Sequence, residues 1–308
     1  MSAHAFPSII PTMCPIKQGK TRDNFRLKPC DGVEPLLIVA TDRLSTHNVV
    51  HHSLIPKKGH VLNALTIFWI KTVLEENGIP HHLMAFGRDI YKYLDGDHRN
   101  YIPDIHLRGV VVKRFIPVPY EFIFRSYMTG SLYTAYKQGL DPYGLNLPRG
   151  LRLMERFDRP VFTPTDKSDT DDPVQARVVS SGFRKAFNYA QATFNLVQDY
   201  LRRKDIELID SKFEVGGDDE SGYAMIDEIA TPDSSRFCER KSLVVGSDPP
   251  FLDKQIARDE AVRMWNGHHK RPLTFSRDTV TKVSETYLNL FKRITGQYLL
   301  TFQQQYLL

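Results

Sequence analysis

The chain has 308 residues, enough for one large domain or for two lobes of which at least one has a full-sized core. Hydrophobic residues make up 41% of the chain and charged residues 25%, a composition that argues against wholesale disorder. The formal net charge is +5, but Lys and Arg are spread through segments of mixed sign instead of forming basic stripes. This distribution disfavours a protein dedicated to nucleic-acid binding.

The N-terminal sequence and the hydropathy of the chain bear on its location. No apolar run approaches the ~18 residues of a membrane-spanning helix. The N-terminus lacks a basic start, a sustained apolar stretch and a small-residue cleavage site. We therefore expect a cytoplasmic protein with no membrane partner. Cys14, Cys30 and Cys238 are far apart and show neither a disulfide framework nor a zinc-site spacing.

The first third of the chain is predicted to be rich in strands. Leu36–Thr41 and Gly109–Phe115 are short apolar runs rich in β-branched residues, so both are predicted to be buried strands. Between them, the apolar residues of Asn63–Glu76 recur near helical spacing, and Asn77 and Gly78 supply a helix stop.

The middle of the chain divides into a loop region and a helix. Proline and glycine recur through Asp141–Thr165, which predicts a loop-dominated segment. Ser181 is predicted to open a long helix. Its apolar residues recur at steps of three or four and form one core-facing stripe: Phe183, Phe187, Ala190, Phe194, Val197 and Leu201.

Two strands and then a run of helices complete the chain. Glu207–Val215 and Tyr223–Ile229 alternate in part, and glycines flank the residues between them, which predicts a β-hairpin with acidic residues on both strands. From Asp253 onward the pattern is helical. The last helix is predicted to bury one apolar face: Val280, Val283, Tyr287, Leu290 and Ile294.

These elements predict an α+β fold in three parts. Residues 1–115 form a strand-rich N-terminal lobe, residues 116–250 form a mixed lobe, and residues 251–308 form C-terminal helices that pack on the lobes.

The acidic hairpin has the residue types of a magnesium site. Asp210, Lys212 and Glu214 are spaced by two, so their side chains share one face of a strand, and Asp227 and Glu228 lie on the next strand. Carboxylates from paired strands can hold Mg²⁺, with phosphate oxygens and water completing its shell. The alternative is a surface hairpin with cross-strand ion pairs worth under ~1 kcal/mol each.

Thr231–Phe237, with the sequence TPDSSRF, has the donors of an anion pocket. Backbone N–H groups, the hydroxyls of Ser234 and Ser235, and the guanidinium of Arg236 can all donate to a phosphate. The alternative is an ordinary turn or helix cap at Asp233, and the two interpretations are compatible.

Two basic elements precede the hairpin. Gly19–Asp23 places Lys20 and Arg22 around a turn before a strand, where they can form a flap over a polyphosphate, although this is not the GxxxxGK[ST] loop and an exposed turn is the alternative. Lys113 ends a valine run, and a buried lysine needs a partner, here either Glu121 or a nucleotide phosphate.

Two further stretches carry candidate ligands. Arg125 and Ser131 can bind a second anion, with a salt bridge as the alternative for Arg125. Phe162–Lys167 is a hydroxyl-rich turn that ends in a lysine, followed by three aspartates. It is either a mobile element near reacting groups or a solvated acidic loop.

Eight segments, in order, resemble the motifs of the SAICAR synthetase family. They cover residues from about 17 to 265, and TPDSSRF with the preceding DE and DSKFE is the most specific combination. The segments are GKTRD (19–23), ATDRLSTHNVV (40–50), IPKKGHVLNALTIFW (55–69), PYEFIFRSYMTGS (119–131), FTPTDK (162–167), DSKFEVG (210–216), MIDEIATPDSSRF (225–237) and LDKQIARD (252–259).

The resemblance implies a two-lobed fold related to ATP-grasp enzymes and kinases, and a ligase of purine (IMP) biosynthesis. It implies that carboxyaminoimidazole ribonucleotide, aspartate and ATP are the substrates, with Mg²⁺ accompanying ATP. The products are the succinocarboxamide ribonucleotide, ADP and phosphate, formed through an acyl phosphate. The resemblance does not indicate an oligomeric state.

The resemblance also implies roles for individual residues. Positions around the reacting groups are Lys167, Asp210 and Lys212. Positions that bind ATP are Lys20, Arg22, Lys113 and Glu121. Positions that hold the ribonucleotide or close its site are Arg125, Ser131, Asp233, Ser234, Arg236, Lys254 and Arg258. The magnesium ligands are Glu214 and Asp227. The phosphate flap then belongs to the N-terminal lobe, and the metal and ribonucleotide sites belong to the mixed lobe.

The chain departs from the family pattern at three places. His47 and Asn48 replace an aromatic residue and an aspartate, the segment after Lys167 lacks a His-Asp-Glu group, and Cys238 stands where a tryptophan often follows SSRF. The first two departures keep a ligase with a different amine open as an alternative. A small-molecule kinase with the same Lys113, Glu214 and Asp227 is a second alternative, and a basic nucleic-acid-binding module is a third.

Overall fold

The computed structural model describes residues 13–96 and 101–308. Most of the N-terminal segment on which the expected lack of a targeting sequence depends lies outside these residues. The chain forms two compact units, each assembled from separated segments. The first contains Met1–Phe68, His82–Arg114 and Asp253–Leu308, and the second contains Trp69–His81 and Phe115–Leu252. The three-part division proposed from the sequence remains a prediction.

The helices and strands alternate irregularly along the chain. The strands are β1 (Lys17–Gln18), β2 (Arg22–Arg26), β3 (Pro35–Ala40), β4 (Arg43–Thr46), β5 (Val49–Leu54), β6 (Leu83–Phe86), β7 (Gly109–Lys113), β8 (Tyr120–Tyr127), β9 (Arg156–Phe162), β10 (Thr165–Asp166), β11 (Ile206–Asp218), β12 (Gly222–Ile226) and β13 (Ser235–Glu239). The α-helices are α1 (Lys58–Trp69), α2 (Ile105–Arg108), α3 (Gly130–Lys137), α4 (Ala176–Gly182), α5 (Arg184–Arg202), α6 (Gln255–Trp265), α7 (Arg277–Thr295) and α8 (Leu299–Tyr306).

In the first unit, an antiparallel sheet has the strand order β1-β2-β3-β7-β6, and β4 and β5 form a separate hairpin. The two strands predicted near residues 36–41 and 109–115 are confirmed as β3 and β7, which are neighbours with Ile38 opposite Val110. Leu37 and Val39 of β3 and Val111 of β7 are buried and join one core cluster with Phe25 and Ile105.

The helix predicted over Asn63–Glu76 is confirmed, but it begins earlier and changes its winding. It starts at Lys58 as α1, continues through a π-turn at Ile70–Leu74 and ends in a 3₁₀ turn at Glu75–Asn77, with Gly78 in the left-handed conformation expected of a helix stop. A Cβ on Gly59 would lie 2.7 Å from the carbonyl oxygen of Ala40, so this close approach requires glycine.

The C-terminal helices of the first unit are confirmed with one correction. The predicted apolar face belongs to α7, which is followed by α8 and is therefore not the last helix. Val283, Tyr287, Leu290 and Ile294 are buried, whereas Val280 is half-buried. Ser276 caps α7 by accepting the amide hydrogen of Thr279 at 3.1 Å. None of the helices formed by the described residues is long and apolar enough to cross a membrane.

In the second unit, an antiparallel sheet has the order β10-β8-β11-β12, with β13 also paired to β11 and β9 to β8. The predicted hairpin is confirmed as β11 and β12, with Glu214 opposite Ile226. Phe122, Phe124 and Phe213 are buried at alternate positions and face α5. The residues between them in β8 and β11 therefore lie on the opposite face of the sheet.

The predicted long helix is confirmed as α5, although it begins at Arg184 because a separate helix, α4, ends at Gly182. The C-terminal part of its predicted stripe is buried, from Ala190 to Leu201. Phe187 is half-buried and packs with its ring centroid 5.7 Å from that of Phe124.

The prediction of a loop-dominated segment at Asp141–Thr165 is wrong for its second half, which forms β9. This strand pairs with β8 through Phe124 opposite Phe162 and Arg125 opposite Val161. Its charged residues are exposed, so β9 lacks the apolar alternation by which a strand is recognised. Pro160 is tolerated because one side of β9 has no strand partner among the described residues.

Candidate functional site

The face of the second sheet that points away from α5 carries most of the predicted site residues. Asp210 is opposite Arg125 and Arg236 on its two neighbouring strands, and Lys212 and Glu214 follow at steps of two along β11. Because directly opposite residues share a face, all five side chains lie on one side of the sheet. The spacing of two that predicted this shared face is therefore confirmed.

The two units divide the predicted residues between them. Those in the second unit are Glu121, Arg125, Ser131, Lys167, Asp210, Lys212, Glu214, Asp227, Asp233, Ser234 and Arg236. Those in the first unit are Lys20, Arg22, Lys113, Lys254 and Arg258.

Asp210 lies between two guanidinium groups. Arg125 Nη1 donates to Asp210 Oδ2 at 2.6 Å, Arg236 Nε donates to Oδ1 at 3.0 Å, and Arg236 Nη2 also bonds to Oδ2. Arg125 and Asp210 are each only 5% exposed. Burial lowers the pKa of Arg125, and the Asp210 carboxylate opposes that shift. The salt bridge considered for Arg125 is thus present. Arg125 and Arg236 share the buried carboxylate of Asp210.

Three hydroxyl groups orient these guanidiniums, and one of them, that of Thr129, was not among the candidates proposed from the sequence. Arg125 Nε donates to Thr163 Oγ1 at 2.9 Å and Arg125 Nη2 to Ser131 Oγ at 3.2 Å, while Arg236 Nη1 donates to Thr129 Oγ1 at 3.4 Å. Thr129 and Ser131 flank a glycine in the TGS segment. Their position directly after the strand that carries Arg125 was the available signal in the sequence.

Lys212 is surrounded by carboxylates. Its Nζ donates to Glu121 Oε1 at 2.5 Å, and Glu121 Oε2 accepts from Thr165 Oγ1 at 2.9 Å. Burial lowers the pKa of Lys212, but Glu121, Glu214 and Asp227 raise it by more, so the net pKa lies above the ordinary value and the amine stays charged.

This pairing changes the interpretation of Lys113. Lys113 is exposed at the end of β7, so the desolvation cost that the sequence analysis assigned to it does not arise. Glu121, one of its two expected partners, bonds to Lys212 and Thr165.

Lys167 follows β10 and reaches Glu214. Its Nζ lies 2.6 Å from Glu214 Oε2, and both side chains are partly exposed. The turn after Lys167 is held by Asp166, whose Oδ1 accepts from the Ser168 hydroxyl at 2.6 Å and from the Asp172 amide at 3.0 Å. These bonds, chiefly the one from the Ser168 hydroxyl, lower the pKa of Asp166.

The chain bends sharply after β12. Asp227 and Ala230 both have left-handed backbones, with φ of 60° and 43°, a conformation that non-glycine residues adopt at a cost and often at functional sites. Ser234 N then donates to Thr231 O at 3.1 Å and Asp233 N to Thr231 Oγ1 at 3.2 Å. This is the turn that the sequence predicted, but it leads into β13, so the helix-cap alternative is wrong.

Glu214 and Asp227 fit a nucleotide-bound magnesium ion by their chemistry. Magnesium prefers oxygen ligands and is usually bound through one or two carboxylates, with substrate phosphates and waters supplying the rest. The described residues contain no group of three or more His, Cys, Asp or Glu side chains arranged to hold a metal ion on their own. A magnesium ion at these two carboxylates would take its remaining ligands from phosphate oxygens and water.

In the first unit, the predicted flap is a short hairpin between β1 and β2. Asp23 is fully buried and pairs with Arg43, whose Nη2 lies 2.5 Å from Asp23 Oδ1 and donates to the Gly19 carbonyl at 3.0 Å. Lys20 Nζ donates to Asn48 Oδ1 at 2.8 Å. Arg43 therefore fixes the turn, and Asn48 orients the lysine at its tip.

Asn48 belongs to the first departure from the family pattern, the turn between β4 and β5. His47 and Asn48 both have left-handed backbones, with φ of 48° and 68°. The His47 ring contacts Trp265 with ring centroids 5.6 Å apart. Burial, and then the charges of Lys270 and Arg258, lower the pKa of His47.

Lys254 and Arg258 lie at the start of α6. Lys254 is buried, and Arg258 Nη1 donates to the fully buried Asp253 at 2.7 Å. The third departure, Cys238, is fully buried beside Tyr127 and Ile209. Burial, and then the charge of Glu207, raise the pKa of its thiol to about 12, which makes it unreactive near neutral pH.

The fold and the site define an α+β protein that holds arginines, lysines and carboxylates, paired and largely buried, on one face of an antiparallel sheet, an arrangement suited to binding anionic ligands. The SAICAR synthetase family model matches residues 15–273, and the chain belongs to the SAICAR synthetase family. This confirms the resemblance, the α+β fold class and the predicted ligase class. The relationship to ATP-grasp enzymes and kinases remains a prediction.

Full-length relatives agree with the family match. The phosphoribosylaminoimidazole-succinocarboxamide synthase of Cupriavidus metallidurans is 33% identical and covers 97% of this chain and 100% of its own. The synthase of that name from Saccharomyces cerevisiae is 32% identical over 91% of this chain and 94% of its own. The solved structure of the Saccharomyces cerevisiae SAICAR-synthase complexed with SAICAR has a TM-score of 0.83 at 29% identity, and covers 96% of this chain and 99% of that one.

Proposed function

We propose that this chain is an ATP-dependent ligase that joins aspartate to carboxyaminoimidazole ribonucleotide and forms SAICAR, ADP and phosphate in purine biosynthesis. The proposal is carried by one observation in a chain of this family. A single sheet face holds Lys212, Glu214 and the arginine cluster, which consists of Arg125 and Arg236 around Asp210. A cytoplasmic location, expected from the sequence, is part of the proposal.

The reaction requires activation because a carboxylate is a poor electrophile. In the first step, a carboxylate oxygen of the ribonucleotide attacks the γ-phosphorus of ATP, the bond to the β,γ-bridging oxygen breaks, and ADP leaves. In the second step, the aspartate amine attacks the carbonyl carbon of the acyl phosphate. The new C–N bond forms as the C–O bond to phosphate breaks, and the amine loses a proton. Catalysis of this kind depends on positioning and on charge neutralisation.

The ribonucleotide is assigned to the arginine cluster. Two guanidiniums, Arg125 and Arg236, meet at the Asp210 carboxylate, and guanidinium groups suit recognition of an anionic phosphate. Ser131 and Ser234 add hydroxyl donors, and Asp233 precedes Ser234 in the turn before β13. This arrangement supports a role for these residues in holding the ribonucleotide.

The reacting groups are assigned to the neighbouring part of the same face. Lys212 remains cationic among Glu121, Glu214 and Asp227, so it can neutralise charge on a phosphoryl group in transfer. Lys167 pairs with one of these carboxylates, that of Glu214. Glu214 and Asp227 would hold Mg²⁺, which when bound supplies charge neutralisation to phosphate oxygens.

The first unit contributes the residues assigned to nucleotide phosphates and to closing the site. Lys20 and Arg22 lie on the β1–β2 hairpin, and Lys113 lies at the exposed end of β7, where a phosphate can reach its amine. Lys254 and Arg258 lie at the start of α6, the part assigned to closing the site around the ribonucleotide.

The test measures ADP release by purified protein supplied with ATP and Mg²⁺, with and without the carboxylated ribonucleotide, and with and without aspartate. The proposal predicts that ADP release requires both. Release without aspartate would indicate a small-molecule kinase. Release that requires another amino acid would indicate a divergent ligase, the alternative that the His47-Asn48 turn keeps open.

A further inference from the structure

Gly130 lies between Thr129 and Ser131, whose hydroxyls contact Arg236 and Arg125, and its backbone is left-handed, with a φ of 60°. A Cβ at this position would lie 2.6 Å from Nη2 and 3.0 Å from Nη1 of Arg236. Real Cβ atoms do not approach heavy atoms so closely, so the edge of the Arg236 guanidinium that carries Nη1 and Nη2 occupies space that any side chain at position 130 would fill.

Asp210 holds a neighbouring edge of the same guanidinium. It bonds to both Nε and Nη2 of Arg236 and, through Oδ2, to Nη1 of Arg125. A planar guanidinium is oriented when a carboxylate takes two of its N–H groups and a second group limits the space at its next edge. Arg236 therefore has the Asp210 carboxylate at its Nε–Nη2 edge and the Gly130 backbone at its Nη1–Nη2 edge.

We propose that Gly130 and Asp210 are positioning residues that hold Arg236 at a set distance and angle from Arg125, so that the two guanidiniums form a preformed clamp for a phosphomonoester. This inference rests on the proposed function, because it assigns the ribonucleotide to the cluster. Neither residue needs to touch the ligand. Asp210 then acts on the reaction through the arginines, and not as a group that exchanges protons with the substrate.

The chain contains a matched control for each residue. Gly139 follows the same helix α3 and also has a left-handed backbone, with a φ of 73°, but a Cβ there would meet nothing within 4 Å. Glu207 lies on the same strand as Asp210, is 5% exposed, and also contacts two arginines, Arg240 at 2.9 Å and Arg202 at 3.5 Å. Neither control belongs to the proposed site.

The first experiment compares Gly130→Ala with Gly139→Ala. Both variants bear the same left-handed backbone cost, so they should lower the melting temperature to a similar extent. Because Arg236 ends in a flexible side chain, its guanidinium can move aside at Gly130→Ala without unfolding the chain. We expect the KM for the ribonucleotide to rise at least about tenfold in Gly130→Ala, with kcat and the KM for ATP within about threefold, since an error of about 1 Å in position can cost 10²-fold. Gly139→Ala should leave all three near wild type.

The second experiment uses Arg236→Ala as a background. Once the guanidinium is absent, Gly130→Ala has nothing left to displace, so the double variant should have the ribonucleotide KM of Arg236→Ala alone. Independent, multiplicative effects of the two substitutions would overturn the proposal.

The third experiment compares Asp210→Asn with Glu207→Gln, in which a neutral amide replaces a buried acid between two arginines. Asp210→Asn is expected to raise the ribonucleotide KM at least about tenfold and to leave the pH dependence of kcat unchanged, as a positioning residue should. Glu207→Gln is expected to change stability only. A loss of kcat with an altered pH profile in Asp210→Asn would instead show that Asp210 exchanges protons in the reaction.

Calorimetric binding of ribose 5-phosphate separates this inference from the proposed function. If wild-type protein binds the sugar phosphate and Gly130→Ala binds it at least about tenfold more weakly, the clamp stands even if no ligase activity is found. If both bind it equally, the clamp is wrong, whatever the activity of the enzyme. Absence of ligase activity in the wild type would overturn the proposed function alone.

Discussion

Three charged side chains at alternate positions of β11 each have a different oppositely charged partner. Asp210 bonds to two arginines, Lys212 to Glu121, and Glu214 to Lys167. The carboxylates of the three pairs differ in burial, because the side chains of Asp210 and Glu121 are 7% and 11% exposed and that of Glu214 is 22% exposed. Burial decides their energetic role, because an unpaired buried charge is costly while a partly exposed ion pair contributes little.

Removing Lys212 should therefore lower the free energy of unfolding, because the buried carboxylate of Glu121 loses its cationic partner. We expect Lys212→Met to destabilise the protein by about 1–3 kcal/mol, the desolvation penalty of an unsatisfied buried group, and to abolish ligase activity. Adding Glu121→Gln should recover stability but not activity. Urea denaturation and the ADP-release assay measure the two effects.

The Lys167–Glu214 pair, in which the carboxylate is more exposed than Glu121, supplies the comparison for this experiment. Lys167→Met removes a lysine whose partner, Glu214, remains in contact with water, so the loss of stability should stay below about 1 kcal/mol. If the Lys212→Met and Glu121→Gln double variant is no more stable than Lys212→Met, the account of the buried pair is wrong.

Asp227 tests the proposed metal site. Asp227→Asn keeps the shape of the side chain but weakens it as a ligand for a hard cation, so ATP turnover should be lost while the melting temperature stays close to that of the wild type. Asp219→Asn is the control, because Asp219 is an exposed acid in the turn of the same hairpin. Unaltered turnover in Asp227→Asn would remove this residue from the metal site.

At the scale of the elements, the β4–β5 hairpin is held by a buried histidine. His51 Nδ1 accepts the Leu273 amide hydrogen at 3.2 Å, its Nε2 lies 2.7 Å from Thr46 Oγ1, and its ring packs 4.7 Å from that of Phe275. Burial, and then the neighbouring charges of His47, His52 and Lys254, lower the pKa of His51 to about 4. This neutral imidazole joins the hairpin to the segment that follows α6.

The His51 pKa predicts a pH-dependent stability. Between pH 6.5 and 4 the unfolded chain binds a proton at His51 that the folded chain does not, so stability falls as the pH falls through this window. His51→Gln should flatten the melting-temperature curve there, whereas the exposed neighbour His52→Gln should not. A curve of unchanged slope in His51→Gln would contradict this assignment.

Asp104 contributes to stability in a different pH range. Although burial raises its pKa, the bonds and charges of His60 and Arg108 hold it at about 2. Its stabilising effect is therefore lost only as the pH falls from about 4 towards 2, below the His51 window.

Some elements could be predicted from the sequence and others could not, for physical reasons. The β3 and β7 segments are short continuous apolar runs, and the β11 and α5 segments repeat apolar residues at strand or helix spacing, so these patterns were sufficient. The β9 strand is exposed on its charged positions and contains Pro160, so nothing local distinguishes it from a loop. The π-turn inside the first long helix follows no residue pattern that separates it from an α-helix.

At the scale of the whole molecule, each unit collects segments that are far apart in sequence. Residues 69–81 belong with residues 115–252, and residues 253–308 belong with the N-terminal strands. Composition along a chain cannot show this, because the contacts that define a unit are made across the sequence. The family motifs, by contrast, name the candidate residues directly, which does not require knowing the contacts between segments.

The shared face of the candidate residues on β11 was predictable from the sequence, but their hydrogen-bond partners were not. The spacing of Asp210, Lys212 and Glu214 predicts that they share a face, and the structure agrees. The sequence did not show that Asp210 would join two arginines, or that Lys212 would pair with Glu121. Those partners depend on strand register, which a single sequence does not specify.

The central claim is that ATP activates the carboxylate of the ribonucleotide before the amine attacks. The most direct measurement uses ribonucleotide labelled with ¹⁸O in that carboxylate and follows the label by mass spectrometry during turnover with ATP, Mg²⁺ and aspartate. Because the phosphate leaves with the oxygen that it received from the carboxylate, the account predicts one labelled oxygen in each phosphate released. Phosphate that carries no label while SAICAR accumulates would contradict it.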